Sequence, residues 1–114
     1  MLGQVITGVV AALHVYFLVL EMFLWATPFG QKTFKRSAAE QESTRILAAN
    51  QGLYNGFLAA GLAWSLYTNA TDVRIFFLSC IVIAGIYGGL TAARSILFVQ
   101  ALPAALALAA TMLG

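Results

Sequence analysis

Charged residues are scarce in this chain. Of its 114 residues, four are Asp or Glu and six are Lys or Arg, 9% in total, whereas a soluble domain has about a quarter. Apolar residues make up 61%, more than so short a chain can bury in a water-soluble core, because small domains keep much of their surface exposed. This excludes the soluble globular class. The formal net charge of +2 gives no reason to expect binding to nucleic acid.

Other scarce residues exclude further classes. The single cysteine, Cys80, excludes a disulfide scaffold, and the single histidine, His14, excludes a metal site with two histidines from one chain. The high apolar content excludes intrinsic disorder. There is no phosphate-binding loop, nucleophile constellation or cysteine-rich metal motif. We therefore expect no metal and no cofactor, and the sequence leaves open whether the protein is an enzyme.

Long apolar runs are what the chain does contain. A transmembrane helix needs about 20 apolar residues, and no run alternates as a barrel strand would. Four runs have nearly this length, at about 3–26, 46–67, 73–92 and 95–113. The first run is too long for a cleavable signal and has no preceding Lys or Arg. The sequence therefore predicts one all-α domain over residues 1–114, an integral membrane four-helix transmembrane bundle in the lipid bilayer.

The polar loop 27–45 determines the predicted orientation. Within it, Ser37 and Glu40 have the spacing of a capping box, which predicts that a helix restarts near Ala38 and continues into the second span. Basic residues favour the cytoplasmic side, so we expect loop 27–45 in the cytoplasm and both termini outside. The count is five basic residues (Lys32, Lys35, Arg36, Arg45 and Arg94) against Arg74 in the second loop. Trp25, near the cytoplasmic end of the first span, is expected in the aromatic belt.

Polar residues inside the predicted spans concentrate in the cytoplasmic half, and the external half is expected to be almost wholly apolar. His14 and Glu21 are seven apart and share a helical face, as do Gln51 and Asn55, which are four apart. The pattern predicts a polar cavity open toward the cytoplasm. The alternative is a set of interhelical hydrogen bonds that fix the bundle. The residues concerned are His14, Glu21, Asn50, Gln51, Tyr54, Asn55, Tyr87, Thr91, Arg94 and Gln100.

Two of these residues are candidates for proton chemistry, namely Glu21 and His14. A carboxyl group at membrane depth either pairs with a cation or takes up a proton, so Glu21 could act as a general base or instead pair with Arg94. We expect the remaining residues to bind a ligand, as convergent polar groups in an apolar pocket do. They are Asn50, Gln51, Tyr54, Asn55, Tyr87, Thr91, Arg94 and Gln100.

Two pairs of glycines suggest where helices approach closely. Gly52 and Gly56 form one small-xxx-small ridge, and Gly85 and Gly89 form another. A homo-oligomer would use these faces, although the pattern does not say whether the contacts lie within one chain or between chains.

A set of motifs resembles a known family. Asn-Gln-Gly-x-Tyr-Asn-Gly fills 50–56, and Leu-Glu-Met-Phe-Leu-Trp fills 20–25. With Leu13-His14, Ile-Ala-Gly-Ile-Tyr-Gly at 83–88, Thr91, Gln100 and Pro103, they resemble domain-of-unknown-function family 1304, a family of small bacterial membrane proteins. The resemblance covers nearly the whole chain. It implies a four-helix, multi-pass protein of the bacterial inner membrane with no settled activity.

Three functions therefore remain open. The first is a protein that binds, or also transforms, a small amphipathic or lipid-like molecule entering from the cytoplasmic half of the membrane. The second is a proton-coupled small-molecule transporter that uses Glu21 as its exchange site. The third is a structural or accessory membrane subunit, in which the polar residues fix helix contacts.

Overall fold

The computed structural model describes all 114 residues, and its regular structure consists of helices without any strand. This confirms the all-α class. The helices are α1 (Leu2–Met22), α2 (Pro28–Phe34), α3 (Ala38–Ser43), α4 (Arg45–Tyr67), α5 (Thr71–Thr91), and α6 (Leu102–Leu113), which follows a π-helical turn at Leu97–Ala101.

The chain forms two compact units. Unit 1 comprises Met1–Ala12 and Leu58–Gly114, and unit 2 comprises Leu13–Phe57. The helices α1 and α4 each contribute one part to both units.

Unit 1 has a core of apolar side chains drawn from four helices. The two residues from α5 are three apart, as are the two from α6, so each pair lies on one face of its helix. All are at most 1% exposed: Val10 of α1, Leu62 of α4, Leu78 and Ile81 of α5, and Ala104 and Ala107 of α6.

Glycines allow α5 to approach the π-helical turn closely. A Cβ at Gly85 would lie 2.6 Å from the backbone nitrogen of Ala101, and a Cβ at Gly89 would overlap the side chain of Leu97. The Gly85/Gly89 face therefore packs within the chain. Because the later residue of α5 meets the earlier residue of the turn, the two segments run antiparallel.

The π-helical turn interrupts what the sequence predicts as one continuous helix over 95–113. Leu102 donates its backbone N–H to the carbonyl of Leu97, five residues earlier. Pro103, the next residue, lacks the N–H that an α-helix would donate to the carbonyl of Val99. The regular α-helical hydrogen-bond pattern is thus broken at both Leu102 and Pro103. The regular α-helix α6 begins at Leu102.

In unit 2, α1 ends four residues before the predicted end at Ala26. The helix ends at Met22, and the N–H of Leu24 donates to the carbonyl of Val19. Thr27 then caps α2 by accepting the N–H of Gly30. Segment 27–45 is therefore two short helices, α2 and α3, rather than an extended loop.

The predicted capping box is confirmed at the start of α3. The Ser37 hydroxyl accepts the N–H of Glu40, and the Glu40 carboxylate accepts the N–H of Ser37 at 2.9 Å. Because these hydrogen bonds favour the ionised form, they lower the pKa of Glu40 below its ordinary value. The predicted continuation into the second span is interrupted, since α3 ends at Ser43 and Thr44 separates it from α4.

Trp25, which the sequence places in the aromatic belt, has a buried side chain. Its indole N–H donates to the hydroxyl of Thr44 at 3.0 Å, and its ring centroid lies 4.6 Å from that of Phe34. The buried amide of Gln41 donates to the carbonyl of Trp25 at 2.8 Å. The helices α2 and α3 thus fold over Trp25, a non-local arrangement that position along the sequence does not reveal.

Two helices, α1 and α5, are long and apolar enough to cross a membrane. The helix α4 has 23 residues but does not meet the same criterion, and the apolar run Leu97–Leu113 is shorter.

Candidate functional site

In unit 2, a carboxylate and an amide meet between α1 and α4. The side-chain amide of Asn55 donates a hydrogen bond to the carboxylate of Glu21. Asn55 is buried at 4% exposure, and Glu21 is half-buried. This pair links the last turn of α1 to the middle of α4.

The Gly52/Gly56 face makes this contact sterically feasible. A Cβ at Gly52 would lie 3.0 Å from the Cβ of Glu21, and one at Gly56 would lie 2.6 Å from Cδ1 of Leu18. Both glycines therefore face α1 of the same chain. Their missing side chains let the backbones approach closely enough for Asn55 to reach Glu21.

His14 is the second candidate for proton chemistry, and it is completely buried. Its ring packs edge-on against Phe17, with centroids 5.1 Å apart. No group of three or more His, Cys, Asp or Glu residues lies together in a way that could hold a metal ion. The ring of His14 is thus part of the packed interior.

The other candidates on α4 lie on its exposed side. Asn50, Gln51 and Tyr54 are all exposed, with Tyr54 at 52%. The buried positions of this part of α4 recur at Ala48, Gly52 and Asn55. Gln51 and Asn55 therefore lie in different environments although they are one turn apart.

In unit 1, two predicted residues line an open cavity of about 600 Å³ at the end of α5. They are Thr91 and Arg94, and the apolar part of the lining includes Leu90, Leu97 and Phe98. Arg94 is exposed, so its guanidinium is accessible. The cavity combines one cation with apolar walls.

Three further observations define the surroundings of the cavity. The Thr91 hydroxyl donates to the backbone carbonyl of Tyr87 at 2.7 Å, so its hydrogen is already engaged. The side chain of Tyr87 is 70% exposed. Gln100 is half-buried in the π-helical turn, and neither Tyr87 nor Gln100 lines the cavity.

The sequence reasoning missed a group of polar residues at the other end of unit 1, where it expected almost only apolar side chains. Thr7 and Ser65 are completely buried, and Arg74 is 4% exposed. Thr111 has a buried hydroxyl oxygen. Each lies one helical turn from a core residue: Thr7 from Val10, Ser65 from Leu62, Arg74 from Leu78, and Thr111 from Ala107. This helical spacing was the sequence signal that could have predicted their burial.

Comparisons with known proteins agree with the sequence motifs. The family model described as "Protein of unknown function (DUF1304)" matches residues 8–112. The chain is similar to the uncharacterized protein YpaA of Lactococcus lactis subsp. lactis (strain IL1403), with 29% identity over 108 residues that cover 91% of each chain. No solved structure matches.

Proposed function

Because the chain belongs to the DUF1304 family of proteins of unknown function, we propose its function from the geometry of its own residues. It is a multi-pass protein of the bacterial inner membrane that binds a small amphipathic ligand with an anionic headgroup. The ligand occupies the cavity of unit 1, in the cytoplasmic half of the membrane.

Outward-facing apolar residues support the membrane location. Only 22% of the apolar window of α1 and 28% of that of α5 is buried, which favours helices that face lipid over covered core helices of a soluble protein. Ile83 and Leu90 of α5 are 69% and 77% exposed. Soluble monomers rarely expose apolar patches this extensive, and lipid would cover them. We place α4 and Leu97–Leu113 as two further spans, which completes a four-helix transmembrane bundle with both termini outside.

The composition of the cavity is the observation that carries the ligand proposal. Small-molecule sites have volumes of roughly 300–1,000 Å³ and combine apolar walls with a few polar groups; this cavity has about 600 Å³. The guanidinium of Arg94 suits a carboxylate or phosphate, which it can bind through two parallel hydrogen bonds. Leu90, Leu97 and Phe98 would cover the apolar part of the ligand. Because the hydroxyl of Thr91 donates to the backbone carbonyl of Tyr87, Arg94 is the side chain that would donate hydrogen bonds to the headgroup.

Native mass spectrometry of the protein, purified gently from bacterial membranes, tests this proposal. We expect a defined extra mass on the wild-type chain and its loss in Arg94→Gln. Arg36→Gln is the matched control, because Arg36 is an exposed arginine of unit 2, and this variant should keep the extra mass. A wild-type chain without bound mass, or an extra mass that persists in Arg94→Gln, would contradict the proposal.

A structural role is the second candidate function, and the hydrogen bond between Asn55 and Glu21 favours it. Such bonds between helices hold membrane bundles together without any ligand. In this case Asn55→Ala and Glu21→Gln would lower the Tm of the ligand-free protein. If both variants keep the wild-type Tm but lose a bound molecule, the structural role fails. Proton chemistry or proton-coupled transport at Glu21 stays a prediction from the sequence.

A further inference from the structure

Unit 1 ends in a buried polar layer, which we define as Thr7, Ser65, Arg74 and Thr111. Four helices, α1, α4, α5 and α6, contribute one residue each. Each residue lies one helical turn from a core residue of its own helix, so the layer covers one end of that core. It lies at the end where α5 begins, and the cavity with Arg94 lies at the end where α5 finishes.

Arg74 brings an uncompensated charge into this layer. Its Nη2 donates to the backbone carbonyl of Ser65 at 3.2 Å, but its Nε is buried and has no hydrogen-bond partner. The acidic residue of unit 1 is Asp72, which is exposed and accepts the N–H of Val73. The other three acidic residues of the chain belong to unit 2. A buried charge without a counter-charge is strongly unfavourable, and arginine keeps its charge in proteins.

Thr111 supplies a second donor without an acceptor. Its hydroxyl oxygen is buried and has no hydrogen-bond partner. The other two hydroxyls of the layer are engaged, since Ser65 donates to the carbonyl of Leu62 and Thr7 to that of Gly3, both at 2.6 Å. Thr111 as a whole is half-buried, and a Cβ at Gly3 would lie 2.9 Å from its hydroxyl oxygen, so the hydroxyl faces α1.

The helix register places the two unpartnered donors at one level. Gly85 of α5 faces Ala101, and Gly89 faces Leu97. In each pair the two residue numbers add up to 186. Continuing the same antiparallel register toward the start of α5 puts Arg74 level with residue 112, the neighbour of Thr111.

We propose that this polar layer binds a small monovalent anion of the size of chloride. The anion would compensate the charge of Arg74 and accept hydrogen bonds from Arg74 and Thr111. The near-complete burial of Thr7, Ser65 and Arg74 favours a monatomic anion over a larger one. The alternative role for Arg74 is to cap the C-terminal carbonyls of α4, with water satisfying the remaining donors. This alternative requires no anion, and the proposal does not depend on the ligand of the Arg94 cavity.

Thermal unfolding of the purified full chain in detergent provides the first test. The protein is compared in sodium gluconate, chloride and bromide at equal ionic strength. A ligand that binds only the folded state raises the Tm with its concentration, and we expect chloride and bromide to raise it by about 5 °C relative to gluconate. Thr111→Val removes the hydroxyl while keeping the side-chain shape, so this variant should fold and lose most of the shift, as should Arg74→Gln. Thr33→Val is the matched control, because the exposed Thr33 hydroxyl donates within its own helix.

Anomalous diffraction from crystals grown in bromide provides the second test. We expect a bromide peak beside Arg74 Nε and the Thr111 hydroxyl in the wild-type protein and its absence in Thr111→Val. An equal Tm of the folded wild type in all three salts would overturn the proposal. So would a chloride shift that Thr111→Val retains in full, or bromide found only at surface lysines and arginines.

Discussion

At the scale of single residues, Asn55 shows how a polar side chain occupies a core position. The residues of α4 that face α1 include Gly52, Asn55 and Gly56, and a buried amide in such a position requires a hydrogen-bond partner. Glu21 supplies it. The sequence identified both residues as unusual at membrane depth, but it did not pair them. Their meeting depends on which face of α4 turns toward α1, and this is decided by the packing of the two glycines.

Removing the Asn55 amide should destabilise the protein. Asn55→Ala leaves Glu21 without its donor, and we expect a loss of about 1–2 kcal/mol in the free energy of unfolding. A double-mutant cycle with Glu21→Ala should give a coupling energy of about 0.6–1.7 kcal/mol, the range found for hydrogen bonds between membrane helices. Asn50→Ala is the control, because Asn50 is exposed on the same helix and should change stability by less than about 0.5 kcal/mol. Fully additive effects of the two alanine substitutions would refute the pairing.

The capping box of α3 predicts a dependence on pH. The pKa of Glu40 is lowered from its ordinary value of 4.5 because its carboxylate accepts the backbone N–H of Ser37. A lowered pKa in the folded state means that the cap contributes in full above pH 4.5, and the contribution is lost as the pH falls through the lowered value. The carboxyl ¹³C chemical shift of Glu40 should therefore titrate below pH 4.5. Glu42→Gln changes a neighbouring carboxylate outside the box and should leave this titration in place; titration of Glu40 at or above pH 4.5 would contradict it.

At the scale of helices, segment 27–45 contains one feature that the sequence predicts and contributes to another that it does not. The capping box is local, because Ser37 and Glu40 are three positions apart in the sequence. Residue types and their spacing were therefore enough to predict it. The burial of Trp25 is non-local, because it needs Gln41 and Thr44 to fold back onto the end of α1. The four candidate spans followed from apolar content, whereas the break at Leu97–Ala101 depends on backbone geometry next to Pro103. Among the candidate site residues, the same distinction explains why spacing did not separate exposed Gln51 from buried Asn55.

The close approach of α2 to the end of α1 can be tested at Gly30. A Cβ at this position would overlap the backbone oxygens of Leu24 and Trp25 and lie 2.7 Å from the carbonyl carbon of Trp25. Because backbone atoms cannot yield as a flexible side chain can, Gly30→Ala should cost about 1–3 kcal/mol of stability. Gly8→Ala is the matched control: no other atom would lie within 4 Å of a Cβ at Gly8, and alanine favours the helix by up to about 1 kcal/mol. Equal Tm values for the two variants would show that α2 does not pack in this way.

At the scale of the whole molecule, the distribution of exposed charge bears on orientation. The five basic residues assigned to the cytoplasmic side are all exposed: Lys32, Lys35, Arg36, Arg45 and Arg94. Arg74, counted on the opposite side, is buried and bonded to Ser65. If the predicted topology holds, the exposed basic charge is therefore entirely on the predicted cytoplasmic side. Such asymmetry favours placing the loops that carry these five residues in the cytoplasm.

The number of membrane crossings depends on α4, because it joins the two loops whose positions differ between the alternatives. If α4 crosses, residues 33 and 71 lie on opposite sides of the membrane; if α1 and α5 alone cross, they lie on the same side. Single cysteines at Thr33 and Thr71, both exposed, can be introduced in a Cys80→Ala background and labelled with a membrane-impermeant maleimide in intact cells. We expect Thr71→Cys to react from outside and Thr33→Cys to react after permeabilisation alone. Equal labelling of both positions in intact cells would instead leave α4 on one side of the bilayer and exclude the four-span bundle.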